Sequence, residues 1–203
     1  MSKKPIIVFE GIEGTGKSHH LSNVAKYLKK KKKIFIKIRE PGGNKNSEII
    51  RKLILNNKST FNKYTDLLLY LSARSENIEQ IKKNAGKKII LIDRFTDSTI
   101  AYQHYGMGIN LKFIQYINNY LLRGVNVDFT ILNLVNLQNM KKRLTERKNL
   151  NRYDKFNSHF YEKVQKGFIK LSKKNPKKYM KIDSNLDIDI NEKIIINKIV
   201  DLT

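Results

Sequence analysis

Residues Gly11-Ile12-Glu13-Gly14-Thr15-Gly16-Lys17-Ser18 fit the pattern G-x-x-x-x-G-K-[ST]. Their flanks narrow the fold further. The apolar run Pro5-Ile6-Ile7-Val8-Phe9 precedes them and a 3.6-periodic segment follows. A buried strand, a glycine-bearing loop and a helix N-terminus make an anion cradle, with loop amides and the helix dipole aimed at phosphate oxygens. In such a loop Lys17 reaches the β- and γ-phosphates, and the Ser18 hydroxyl is placed to ligate Mg²⁺.

Along the rest of the 203 residues, short apolar runs alternate with longer helical patterns. Strands are predicted at 5–10, 33–39, 88–93, 127–134 and 178–183. Helices are predicted over 17–31, 45–57, 63–85, 96–104, 110–122, 136–148, 155–174 and 189–201. That order implies an α/β fold, a parallel sheet flanked by helices, in one domain spanning 1–203 with no internal repeat. The polar stretch Lys148 to Asp154 lies between two helical patterns and reads as part of a mobile flap at about 147–156.

Composition removes several functional classes. With no cysteine, disulfides, thiolate metal sites and cysteine nucleophiles are excluded, and the four histidines lack zinc-site spacing. No stretch approaches a membrane span, so no membrane partner and a cytoplasmic location are expected. The formal charge of +23 fits a nucleic-acid binder, but it also fits biased residue usage. Of the 41 basic residues only eight are arginine, and Ile and Asn are abundant, as in an A/T-rich coding sequence. No specific nucleic-acid partner is therefore expected, although the field should attract polyanionic nucleotides.

Other candidate groups fall at strand ends or on helix faces. Arg39-Glu40-Pro41-Gly42-Gly43 follows the second predicted strand, where Arg39 can grip a phosphate and Glu40–Pro41 can adopt a cis bond. Asp93-Arg94-Phe95 closes the third strand, where Asp93 can hold Mg²⁺ directly or through water. Ser98 to Gln103 offer hydroxyls, a ring and an amide for a base and a sugar. Tyr70 and Arg74 share a helix face, suited to stacking on a base and donating to a carbonyl, although the same spacing fits a core stripe. Arg143, Arg147 and Arg152 surround the flap and could neutralise charge in phosphoryl transfer, or belong to a solvated basic helix.

Taken together these blocks resemble the thymidylate kinase family, bacterial type, from about residue 5 to 172. The carriers are Phe9 to Ser18, Arg39 to Gly43, Leu69-Tyr70-Leu71-Ser72-Ala73-Arg74, and Asp93-Arg94-Phe95 with Ser98 to Gln103. The resemblance implies a P-loop three-layer fold with a five-stranded parallel sheet, a homodimer, and Mg²⁺-dependent transfer of the ATP γ-phosphoryl to dTMP, giving dTDP and ADP for dTTP synthesis. It assigns ATP to Gly11, Ile12, Glu13, Gly14, Thr15, Gly16, Lys17 and Ser18. It assigns dTMP to Glu10, Arg39, Tyr70, Arg74, Arg94, Thr99, Tyr102 and Gln103, and magnesium to Ser18 and Asp93. Catalytic roles fall on Lys17, Arg39, Arg94, Arg147 and Arg152; the loop interior carries no arginine, so the flap would supply that cation.

The chain departs from the family pattern at Asn44, at Asn151-Arg152, at His19 and at Gln165. The alternatives are a kinase for another nucleotide or a deoxynucleoside, and an inactive nucleotide- or nucleic-acid-binding protein. The paired arginines 39 and 94 favour a phosphorylated acceptor over a neutral nucleoside.

Overall fold

The structure, a computed structural model, describes residues 4–203; residues 1–3, included in the single-domain expectation, lie outside the described residues. Five parallel strands form one sheet in the order β2-β3-β1-β4-β5: β1 Ile6–Glu10, β2 Phe35–Arg39, β3 Ile89–Asp93, β4 Phe129–Leu134 and β5 Tyr179–Asp183. Each ends at the residue expected from sequence and starts one or two residues later. The three central strands are apolar runs buried on both faces, as a parallel sheet requires. The edge strands β2 and β5 instead carry exposed Lys37 and Lys181, charges that discourage further strand pairing.

Period-two alternation sends the strand side chains to two helix layers. Ile7, Phe9, Ile89 and Leu91 pack with Leu21, Val24 and Leu28 of α1 (Lys17–Lys30) and with Ile195 and Ile199 of α8 (Ile188–Leu202). Ile6, Val8, Ile90 and Ile92 face the other way, against Ile78 and Ile81 of α3 (Lys63–Asn84). The remaining helices are α2 (Lys45–Leu55), α4 (Thr96–Thr99), α5 (Leu111–Leu122), α6 (Leu137–Thr145) and α7 (Ser158–Lys174). No helix among the described residues is long and apolar enough to cross a membrane.

Two helical expectations need correction. The segment expected as one helix over 96–104 is a single α turn, α4, that widens into a π-helical stretch, Ile100–Gly106. There Met107 N–H bonds to the Tyr102 carbonyl, a spacing of five. The helix expected over 136–148 stops at Thr145, so Arg147 stands beyond its end. The π stretch lies close against α7. A methyl group added at Gly167 would sit 2.5 Å from the Tyr105 ring, and one at Gly106 would sit 2.6 Å from Phe160.

Helix starts distinguish α1 from the other helices longer than one turn. Asn44, Asn62, Asn110, Asn136, Asn157 and Asp187 each cap α2, α3, α5, α6, α7 and α8 with a side-chain oxygen. α1 begins at left-handed Gly16 with no side-chain cap, so its first amides remain available to an anion.

Candidate active site

Parallel register brings every strand's C-terminal end to one edge, and there Arg39 pairs with Asp93 while Asp93 also lies opposite Phe9. A cavity opens on this edge. Its walls include Lys17, Ser18, Arg39, Tyr70, Arg74, Asp93, Arg94, Thr99, Tyr102, Gln103 and Arg147, residues singled out from sequence. Glu10 and Arg152 are not among its lining residues, nor are Gly11, Ile12, Gly14, Thr15 and Gly16. Ile12 is a fully buried core side chain, so only its backbone serves the loop.

The loop is held by its own backbone oxygens. Thr15 Oγ1 donates to the Ile12 carbonyl at 2.9 Å, and Lys17 Nζ donates to the same oxygen at 3.0 Å. Burial, and next the nearby Arg94, push Lys17 down to about 8. Ser18 Oγ donates to Asp93 Oδ2 at 2.7 Å, which joins the head of α1 to the end of β3. Arg143, read from sequence as a flap residue, instead braces the loop: it donates to Gly14 O at 2.9 Å and to Ser184 O at 2.7 Å.

Gly11 admits no side chain. Its φ is +136°, and an added Cβ would lie 2.2 Å from the Asn133 carbonyl oxygen of β4. Gly11→Ala is expected to cost about 2–4 kcal/mol and lower Tm by about 5–15 °C in a thermal melt. An unchanged melt would show that the loop and β4 are not in this contact.

Arg94 holds a left-handed backbone, φ 66°, directly after β3. Its guanidinium donates to Gly11 O at 2.9 Å, Ser98 Oγ at 3.2 Å and Glu13 Oε1 at 2.8 Å, and lies over the Tyr102 ring at 5.2 Å. Tyr102 donates its hydroxyl to the other oxygen of Glu13. Burial pushes the Glu13 carboxyl up, but Arg94 and then Lys17 outweigh burial and hold it below its usual range. The Glu13 side chain thus leaves the loop interior and serves the residues beside it.

Glu10 lies underneath. It is fully buried and accepts from the Phe95 and Ser98 amides at 2.8 and 3.2 Å and from Ser98 Oγ at 2.6 Å. Burial, then Asp97, raise its carboxyl to about 7. It shapes the turn that presents Arg94 rather than lining the cavity.

Arg39 is half exposed and bonded to Glu48 at 2.7 Å. Arg74 is buried: it pairs with Glu40 at 2.8 Å, donates to Asn118 of α5 at 2.6 Å and lies over Phe95 at 5.1 Å. Glu40–Pro41 is cis. At the flap, Arg147 reaches Asp154 at 2.9 Å, whereas Arg152 pairs with Asp66 of α3.

Sequence reasoning passed over Arg51, passed over Glu40 as the partner of Arg74, and took Tyr153 only as part of the flap; all three stand in the cavity wall. Arginine scarcity was the available signal for Arg51, since it and Arg123 were the only arginines left outside the candidate groups. The structure bonds Arg51 to the Pro41 carbonyl at 2.6 Å.

An uncapped helix head facing a row of arginines across one cavity is the architecture of P-loop nucleoside monophosphate kinases. The thymidylate kinase family model matches residues 9–195. The chain is 36% identical over 197 residues to a thymidylate kinase from Sulfurihydrogenibium sp., covering 95% of each. It is 35% identical over 202 residues to that of Mycoplasma capricolum, again covering 95% of each. Among solved structures, a thymidylate kinase from Ehrlichia chaffeensis superposes with a TM-score of 0.77 at 30% identity, covering 96% of this chain and 97% of that one. The chain belongs to the thymidylate kinase family.

Proposed function

We propose that this chain transfers the γ-phosphoryl group of ATP to dTMP, giving dTDP and ADP. The observation that carries the reading is the cavity itself. Its Lys17–Ser18 end adjoins the uncapped head of α1, and its Tyr70, Arg74, Thr99 and Gln103 wall offers a ring and polar groups suited to a pyrimidine. Arg39 and Arg94 line the same cavity.

In the reaction the bond from the γ-phosphorus to its bridging oxygen breaks, and a dTMP phosphate oxygen takes its place. A monophosphate has a second pKa of about 6, so that oxygen is already ionised near neutral pH and needs no general base. The protein's work is positioning and charge neutralisation. Arg94 is preorganised for it by Gly11, Ser98 and Glu13. Glu10 acts beneath, by holding the Phe95 and Ser98 amides. Tyr102 would crowd a ribose 2′-hydroxyl from its place on Glu13.

The donor set fits Mg²⁺. Ser18 Oγ and Asp93 Oδ2 are hard oxygens already within 2.7 Å of each other. Mg²⁺ would take its remaining oxygens from phosphates and water. Bound there, the ion would neutralise charge on the β- and γ-oxygens.

Residues 147–156 are proposed as the lid. Thr145 to Leu150 are exposed, so Arg147 has room to leave Asp154 for the transferring phosphoryl. Hydrogen exchange with and without both nucleotides should show protection gained at 146–150; equal exchange in both states would remove the lid. A homodimer is proposed through exposed Tyr64 and Leu68 of α3 and Phe113, Tyr116 and Tyr120 of α5. Light scattering giving a monomer mass would reject it.

The deciding assay offers ATP with dTMP, dUMP, dGMP or thymidine and detects the phosphorylated product. Failure to convert dTMP would overturn the reading. A pH profile adds a second check. Lys17, held down to about 8, loses its charge as pH rises through that value, so the free enzyme captures ATP less well. With dTMP held well below its KM, kcat/KM for ATP should fall above pH 8 by about tenfold per unit. A flat profile to pH 9.5 would show that the Lys17 charge does not matter.

A further inference from the structure

The flap is fastened to α3 by a buried carboxylate that the proposed mechanism does not use. Asp66, in the first turn of α3, is 1% exposed. One of its oxygens takes the Arg152 guanidinium and the other takes the Tyr153 hydroxyl. Arg152 also donates to the Ile54 carbonyl at 3.1 Å. Tyr153 is held by its ring and its backbone. The rings of Tyr70, Tyr102 and Phe156 meet it edge-on at 5.8, 5.9 and 5.4 Å, and Tyr161 donates to its carbonyl at 2.6 Å. The Tyr153 oxygen accepts from Gln103 Nε2 at 3.3 Å.

This chain has a fixed direction. A carboxylate facing a guanidinium accepts hydrogen bonds and does not donate them. Tyr153 owns one hydroxyl proton; the Tyr70 hydroxyl also lies within its hydrogen-bonding reach, but a carboxylate is the stronger acceptor, so Asp66 claims the proton. Tyr153 can then only accept from its remaining neighbours. Gln103 must turn its NH₂ toward Tyr153, which leaves Oε1 as the open acceptor of a side chain that lines the cavity. The flipped amide would set two oxygens together with no proton between them in a buried place, an unfavourable arrangement.

We propose that Asp66 and Tyr153 are positioning residues that fix the polarity of Gln103, so the pocket presents an acceptor oxygen and selects a base bearing an imide N–H over one with a bare ring nitrogen. The inference rests on the dTMP reading. Thymine and uracil offer that N–H; cytosine offers a lone pair at the same place. Arg74 adds its own discrimination at the base, so the contribution from Tyr153 is partial.

The test compares kcat/KM for dTMP and dCMP in the wild type, Tyr153→Phe, Gln103→Leu and the double variant, with a melt of each. Tyr153→Phe frees the amide to flip, so the dTMP:dCMP ratio should fall about tenfold. Gln103→Leu should lower the ratio at least as far, and the double variant should match Gln103→Leu, because Tyr153 acts through Gln103. A ratio unchanged in Tyr153→Phe, or additive losses in the double variant, would overturn the proposal. If Tyr153→Phe does not accumulate folded, Asp66→Asn carries the same prediction, since an asparagine no longer dictates which way the Tyr153 proton points. A wild type that leaves dTMP untouched would sink the functional reading instead, which separates the two failures.

Discussion

Arg94→Ala should raise the KM for dTMP about 100-fold and lower kcat as well. The guanidinium is lodged among Gly11 O, Ser98 Oγ and Glu13, over the Tyr102 ring. Removing it deletes a cation at the acceptor phosphate and leaves the mostly buried Glu13 carboxylate facing that phosphate with Tyr102 but no cation beside it. Lysine should not rescue, because a single ammonium cannot span Gly11 and Glu13 while keeping donors for phosphate. Steady-state kinetics with dTMP varied at saturating ATP reads this directly. A variant with a near-normal KM for dTMP would place the acceptor phosphate elsewhere.

Lys17→Met should affect the other substrate. The expected loss is about 10²–10³-fold in kcat, with a small change in the KM for dTMP. Lys17 is 7% exposed and its ammonium donates to the Ile12 carbonyl, so it is already aimed into the loop. Burial and Arg94 disfavour its charge, hence the variant's melting temperature should not fall. Single-turnover measurement at saturating nucleotides isolates the chemical step. Near-wild-type turnover would remove Lys17 from it, and a large fall in stability would point to a packing role.

Strand ends were legible because a buried parallel strand is a short apolar run, stopped by a polar residue at the edge of the sheet that carries the site: Glu10, Arg39 and Asp93. Asn caps mark the starts of α2 and α6, a signal present in the sequence that the expected helix bounds did not use. The π widening after Thr99 was not legible, since apolar spacing in a π turn resembles that in an α turn. Side-chain direction was the larger gap. Glu10 shares a strand with the loop, but its carboxylate turns beneath the Arg94 turn. Arg152 and Tyr153 read as flap residues, yet their partner Asp66 lies more than eighty residues earlier, a pairing that no local spacing encodes. Arg143 likewise shares the spacing of a flap arginine but braces the phosphate loop.

The bare contact of Gly106 and Gly167 with Phe160 and Tyr105 has a mechanical consequence. It welds the wall that carries Gln103 to the root of the lid, so the two travel as one stiff plate. Bending is left to the short exposed span ahead of Asn151, which works as a hinged tongue on a rigid jaw. A bulkier residue at either glycine would wedge the plate open and slacken base recognition and closure together, from a position that touches neither nucleotide.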